Sequence, residues 1–282
     1  MWRSLLFVPV LNDRLVEGAA RRGADAVVLD LEAAVSPDRK EEARAELPRA
    51  TSALKAAGIT IAVRVNALNA GGAEDIAVAI EAATDLIVLP QASSTSAKQA
   101  SDLAGATPLI PLIESPRGVI EALAIAEVTS TIVGLGLGVE DYATEMGAQP
   151  TPDLLVPAAF QVIQAARAAR IEPLVIPDTI ADYTDVGRFE TAARKAKALG
   201  ASGSFAIHPK QVAVSNDVFM PSIEEVGEAQ DIIAMAEQAH QNGDSIASFN
   251  GHMIDAPIVD RARAVVARWK RFGDRSKPSN QI

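Results

Sequence analysis

Apolar residues along this chain fall in short compact runs set between longer amphipathic stretches. Runs of strand length lie at Ser4–Pro9, Ala26–Leu31, Thr60–Val65, Leu86–Pro90, Pro108–Ile113, Thr131–Leu135, Leu174–Ile176 and Ser204–Ile207. They are rich in Val, Ile and Leu without strict alternation, the pattern of strands covered on both faces. Ala-rich stretches with charges on one side lie between them, at Asp38–Ala57, Asp75–Ala83, Val119–Val128, Ala158–Arg170 and Arg188–Leu199. These predict helices, and Gly58 and Gly200 follow two of them as helix-ending glycines do. Eight strands, each followed by a helix, within about 210 residues predict an α/β fold, a (β/α)₈ TIM barrel. A doubly wound open sheet is the alternative.

The strand-like runs stop at Pro221. Beyond it Ser222–Gln241 and Pro257–Phe272 predict two helices, joined by the Gly/Ser-containing segment Asn242–Gly251. The expected division is a TIM-barrel domain over residues 1–220 and a C-terminal helical extension over 221–282. The extension is too short for an independent domain and is expected to pack on the barrel or on a neighbouring subunit. The opening apolar stretch Leu5–Leu11 ends at Asn12-Asp13-Arg14, which reads as a buried first strand and not as a signal peptide. No stretch approaches the roughly 20 apolar residues of a membrane helix, so a soluble, cytoplasmic protein is expected.

Composition changes this picture chiefly by exclusion. The 282 residues carry 26 Lys and Arg against 36 Asp and Glu, a net charge of −10. Such a surface argues against binding nucleic acid or anionic membranes, but leaves open a small anionic substrate held by a local basic group or a bound cation. Cysteine is absent, which removes disulfides, thiolate nucleophiles and cysteine metal sites together. The three histidines, His208, His240 and His252, all lie late in the chain. Acid–base work and metal binding must therefore rest on carboxylates.

In a TIM barrel the active site is built at the C-terminal ends of the strands. The polar residues ending the apolar runs are Asp30 and Glu32, Arg64 and Asn66, Glu114, Asp141, Asp178 and His208. Each alone could cap a helix or face water; together on one face they point to a site. Glu114 and Asp141 close adjacent expected strands, and two converging carboxylates repel unless a cation or proton sits between them. A hard ion such as Mg²⁺ takes one or two protein carboxylates, waters and substrate oxygens. Without cysteine or an early histidine, zinc and iron fit less well. The glycines Gly134, Gly136 and Gly138 read as backbone room around a metal and substrate, because Glu140 and Asp141 directly after them would repel a phosphate.

The segments Arg3-Ser4-Leu5-Leu6-Phe7-Val8-Pro9, Leu29-Asp30-Leu31-Glu32, Val63-Arg64-Val65-Asn66, Ile113-Glu114-Ser115, Gly138-Val139-Glu140-Asp141, Ile207-His208-Pro209-Lys210-Gln211 and Met253-Ile254-Asp255-Ala256-Pro257 occur in this order. In series they resemble the citrate lyase β-subunit-like (CitE-like) branch of the HpcH/HpaI aldolase superfamily, which includes malyl-CoA and citramalyl-CoA lyases. The resemblance runs from residue 3 to about residue 260. It implies a Mg²⁺-dependent barrel that cleaves or forms a C–C bond between an acyl-CoA thioester and a 2-oxo acid. It also implies a homotrimer or hexamer whose C-terminal segment reaches an adjacent subunit.

By the same resemblance Glu114 and Asp141 match the metal ligands, and Arg64 matches the arginine facing the 2-oxo acid and thioester oxygens. Glu32 and Gly138 fall in its substrate-binding segments, and Arg14, in the loop after the first strand, is a candidate contact to the CoA phosphates. Asp255 matches an acid–base group that enters a neighbouring active site; a helix cap before Ala256-Pro257 is the equal alternative. The chain departs from the family at Ala33, where an aspartate is usual, at Val10 in place of a glycine, and at Ser115 in place of a threonine. Within enzymes the alternatives are a thioesterase on the same acyl-CoA or a synthase running the reverse condensation; the missing acid at Ala33 leaves room for a catalytically impaired paralogue that binds a 2-oxo acid or CoA. A subunit of a larger citrate lyase acting on an acyl-carrier-protein thioester is a further alternative.

Overall fold

The computed structural model describes residues 1–241, 247–249 and 252–273. Eight strands form one parallel sheet: β1 Ser4–Pro9, β2 Ala26–Asp30, β3 Thr60–Arg64, β4 Leu86–Leu89, β5 Leu109–Ile113, β6 Gly134–Leu137, β7 Glu172–Leu174 and β8 Ser204–Ala206. Their spatial order is β7-β6-β5-β4-β3-β2-β1-β8. The seam between β7 and β8 is narrow: a bridge from Leu174 to Gly203 and a bond from Ser202 N–H to Pro173 C=O at 2.9 Å. The sheet thus curls into a nearly closed (β/α)₈ barrel.

Helices alternate with the strands: α1 Asp13–Ala19, α2 Lys40–Ala56, α3 Gly72–Glu81, α4 Ser94–Ala104, α5 Pro116–Ile120, α6 Ala122–Ala126, α7 Val139–Glu145, α8 Pro152–Ala168, α9 Val186–Leu199 and α10 Pro209–Val218. Both strand faces are covered, which is why the runs carry no alternation. Along β2, Val27 and Leu29 join the core beneath the helices, while Ala26 and Val28 join a separate cluster inside the barrel with Leu5, Ala62, Val88, Ile110, Leu112 and Phe205.

The chain divides into two compact units, Met1–Phe219 and Met220–Ile282. In the second, α11 Ile223–Gln241 packs along α12 Ala256–Phe272. A short antiparallel ribbon, β9 Ala247–Phe249 with β10 His252–Ile254, corrects the expectation that strands end before this segment. The remainder of the expected linker 242–251 lies outside the described residues. No helix among the described residues is long and apolar enough to cross a membrane.

Two strands sit off the apolar runs. Thr131–Leu135 gives way to β6 at Gly134–Leu137, and Leu174–Ile176 to β7 at Glu172–Leu174. At β6 the reason is crowding. A Cβ on Gly136 would lie 2.5 Å from Leu112 and 2.8 Å from Phe205 inside the barrel, and one on Gly134 would lie 2.9 Å from the Glu172 carbonyl oxygen. These two glycines fit the barrel wall together; they do not open room for a substrate.

Candidate active site

Strand parity aims the chemistry. Inward positions alternate, so Ala26 and Val28 lead to Asp30, Ala62 to Arg64, and Ile110 and Leu112 to Glu114. Register then sets Asp30 beside Arg64, their Cα positions paired at the ends of β2 and β3. The Arg64 guanidinium grips Asp30 with two bonds, Nε to Oδ1 at 2.8 Å and Nη2 to Oδ2 at 2.7 Å. Its third nitrogen, Nη1, lies 3.0 Å from Glu32 Oε2, and the Phe7 ring lies beneath it with the centroid 4.4 Å away. Burial opposes the charge on Arg64, but the bond to Asp30 and the charges of Asp30, Glu32 and Glu114 outweigh it, so the guanidinium stays firmly protonated.

Asp30 also builds the loop that follows it. Its Oδ1 accepts the Glu32 N–H and its Oδ2 the Ala34 N–H, both at 3.0 Å. Lys40 Nζ donates to the carbonyls of Leu31 and Glu32 at 2.7 Å, and Asn66 Nδ2 donates to Leu31 C=O at 3.0 Å. Glu32 is thereby fixed. Burial raises its pKa most, Arg64 opposes, and the charges of Asp30 and Asp141 add to the rise.

Glu114 is buried at the end of β5. Its Oε2 accepts the Gln91 N–H at 2.6 Å, and Gln91 adopts a left-handed backbone, φ +48°, to present that N–H. Gly138 closes the other side, where a Cβ would meet Glu114 Cγ at 2.4 Å and Oε1 at 2.6 Å. Burial pushes the Glu114 carboxyl up to about 8; the Gln91 bond and Arg64 pull against this, and Glu32 and Asp141 add to it. Asp141 lies exposed in the first turn of α7.

Arg64, Glu114, Gly138 and Asp141 line one cavity of about 340 Å³ at the barrel mouth. Its floor is apolar, made by Leu112, Leu174 and Phe205. A second, larger cavity of about 770 Å³ shares Phe7, Ala33, Arg64 and Ile180 with the first. Asp178 also lines the smaller cavity, clamped by Arg188 through bonds of 2.8 and 2.5 Å. Glu140 is joined to Thr179 Oγ1.

The donor set suits a hard divalent cation. Glu114 and Asp141 offer only carboxylate oxygens, and Glu114 Oε1 lies against Gly138, at the one place where a side chain would crowd it. Among the described residues no three His, Asp or Glu groups form an all-protein metal cage. Magnesium does not need one, since it keeps waters and takes substrate oxygens.

Arg14, also expected at the site, is exposed on α1 and lines neither cavity. Asp255 belongs to the second unit, where it caps α12, its Oδ1 accepting the Ile258 N–H at 3.3 Å. His208, another of the strand-end residues, lines the larger cavity. It caps α10 through Nδ1 and stacks on Tyr183 at 4.8 Å between ring centroids. Gln91 and Lys40 escaped the sequence reading altogether, because one acts through its backbone N–H and the other from a helix start.

The HpcH/HpaI aldolase/citrate lyase family model matches residues 3–209. Citrate lyase subunit beta of Escherichia coli K12 is 32% identical over 98% of this chain and 95% of its own length. An L-malyl-CoA/beta-methylmalyl-CoA lyase of Cereibacter sphaeroides is 30% identical over 94% of this chain and 93% of its own. The fold matches the CitE protein of Mycobacterium tuberculosis, solved in complex with magnesium, acetoacetate and coenzyme A. That match has a TM-score of 0.75 at 26% identity and covers 94% of this chain and 97% of that one. From the strand-end constellation and these full-length likenesses together, the chain belongs to the HpcH/HpaI aldolase/citrate lyase family.

Proposed function

We propose that the protein is a Mg²⁺-dependent carbon–carbon lyase. It cleaves a short 3-hydroxyacyl-CoA of the malyl-, citramalyl- or citryl-CoA kind into an acyl-CoA and a 2-oxo acid. The observation that carries this reading is the shared lining of one cavity by Arg64, Glu114, Gly138 and Asp141. Glu114 and Asp141 would hold the magnesium ion, which polarises the oxygens of the 2-oxo acid portion when bound. Arg64, held by Asp30 and Glu32, presents a fixed positive charge to the thioester oxygen and meets the enolate as it forms. Gly138 keeps Glu114 against its Gln91 bond by leaving it space. The apolar floor excludes water from the reacting atoms, which strengthens each of these interactions.

The step balances within the substrate. A carboxylate base takes the proton of the 3-hydroxyl, and the bond between C2 and C3 breaks. The C3 oxygen becomes the 2-oxo oxygen of the released acid, and the electron pair moves into the thioester enolate. A proton returned to C2 gives the acyl-CoA. Asp255 of an adjacent subunit is the acid–base group in this scheme, within a homotrimer or hexamer, and Glu32 and Arg14 are the further substrate contacts. Purified protein assayed on malyl-, citramalyl- and citryl-CoA should turn over at least one of them only with Mg²⁺. Metal-dependent turnover of none of the three would overturn the reading.

A further inference from the structure

The charges around the smaller cavity narrow the identity of the 2-oxo acid. Among the described residues one basic side chain, Arg64, lines this cavity, against four carboxyl side chains, Glu114, Glu140, Asp141 and Asp178. Arg64 is already answered by Asp30 and Glu32, and Asp178 is answered by Arg188. The remaining wall and floor are apolar, with Leu137, Leu174, Ile176, Ile180 and Phe205 among them.

Every 2-oxo acid brings one carboxylate beside its carbonyl. Arg64 and a cation on Glu114 and Asp141 can meet that group. A second carboxylate at the far end of the acid has no counter-charge among the described residues of the lining. It would lose its water against the apolar wall or face Glu140 and Asp141, and either outcome is unfavourable. A hydrogen or alkyl group in the same place buries apolar surface instead, worth roughly fourfold in binding per methyl group.

We propose that this chain handles monocarboxylic 2-oxo acids with an apolar side chain, of the pyruvate kind, and discriminates against dicarboxylic ones of the oxaloacetate kind. The inference rests on the lyase reading for its chemistry, but its basis is the distribution of charge over the cavity. Citramalyl-CoA and citryl-CoA provide a matched pair, since they differ only by methyl against carboxymethyl at C3. The expected kcat/KM is at least about tenfold higher for citramalyl-CoA, because a charge left unpaired at a desolvated contact costs several kcal/mol. Calorimetry of the magnesium-loaded protein supplies a readout free of turnover, with 2-oxobutyrate binding at least about tenfold more tightly than fresh oxaloacetate. Equal or faster cleavage of citryl-CoA would overturn this inference and leave the lyase reading standing. If neither thioester turns over, the lyase reading fails and the calorimetric comparison still decides: oxaloacetate binding as tightly as 2-oxobutyrate would sink the inference.

Discussion

Asp30 holds Arg64 by a paired grip, Nε to Oδ1 at 2.8 Å and Nη2 to Oδ2 at 2.7 Å, while the same carboxylate accepts two N–H groups of its own loop. One buried side chain therefore orients the arginine and shapes the β2 loop beside the cavity. Replacing Asp30 by Ala should cost about 3–5 kcal/mol of stability, since it removes the two-bond partner of a largely buried guanidinium. On the lyase reading kcat should also fall by about a hundredfold through misplacement of Arg64. Denaturant unfolding and steady-state kinetics check both; a variant with unchanged stability and kcat would contradict the role given to Asp30.

On the proposed reading Glu114 ties magnesium binding to protons. In the metal-free protein its carboxyl is raised to about 8, chiefly by burial, so at pH 6.5 it is protonated in the folded state. The folded protein then holds more protons than the unfolded chain between the ordinary glutamate range and about 8, and stability should decline as pH rises through that window. A cation on Glu114 requires the ionised form, so binding should release close to one proton at pH 6.5 and nearly none above pH 9. Calorimetry in buffers of different ionisation enthalpy measures this directly. Glu114→Gln should abolish the release; an equal release from that variant would remove Glu114 from the metal site.

Gly138→Ala tests the close approach without touching a charge. The added Cβ would clash with the Glu114 side chain, and moving that side chain aside is expected to disturb its bond to Gln91. On the proposed reading magnesium affinity should weaken about 10–100-fold, as metal affinity does when groups orienting a ligand are disturbed. Unchanged affinity in a calorimetric titration would show that Gly138 does not govern the position of Glu114.

Features set by local sequence are legible in the chain, whereas those set between strands are not. The eight strands and most helices follow from apolar runs and their spacing, because each strand is buried on both faces whatever its neighbours. Glu114 directly follows such a run, Arg64 is the charged residue within Thr60–Val65, and Asp141 ends the Gly138-Val139-Glu140-Asp141 segment after the sixth run. The role of Asp30 as the partner of Arg64 did not stand out, since it depends on the β2–β3 register; the shared inward parity of positions 30, 64 and 114 was the available signal. β6 was misplaced because Gly134 and Gly136 have weak strand propensity and are required by neighbours distant in sequence. The ribbon at Ala247–Phe249 and His252–Ile254 is too short to register as apolar runs, although the Asn250-Gly251 dipeptide between them is a strong hairpin signal.

Asp255 offers a test of assembly. On the proposed reading it completes a neighbouring subunit's site, so Arg64→Ala and Asp255→Ala variants, each inactive alone, should regain activity when mixed and allowed to exchange subunits. Sites pairing an intact Arg64 with a neighbour's intact Asp255 would account for the recovery. A mixture as inactive as its components, with subunit exchange verified by mass spectrometry, would confine Asp255 to capping α12.

Quantifying the products of citramalyl-CoA turnover decides whether the protein is a metal-dependent lyase. Such a lyase gives acetyl-CoA and pyruvate in equal amounts, formed with Mg²⁺ and abolished by chelation. Free CoA with intact citramalate, or product formation indifferent to the metal, would contradict the lyase reading.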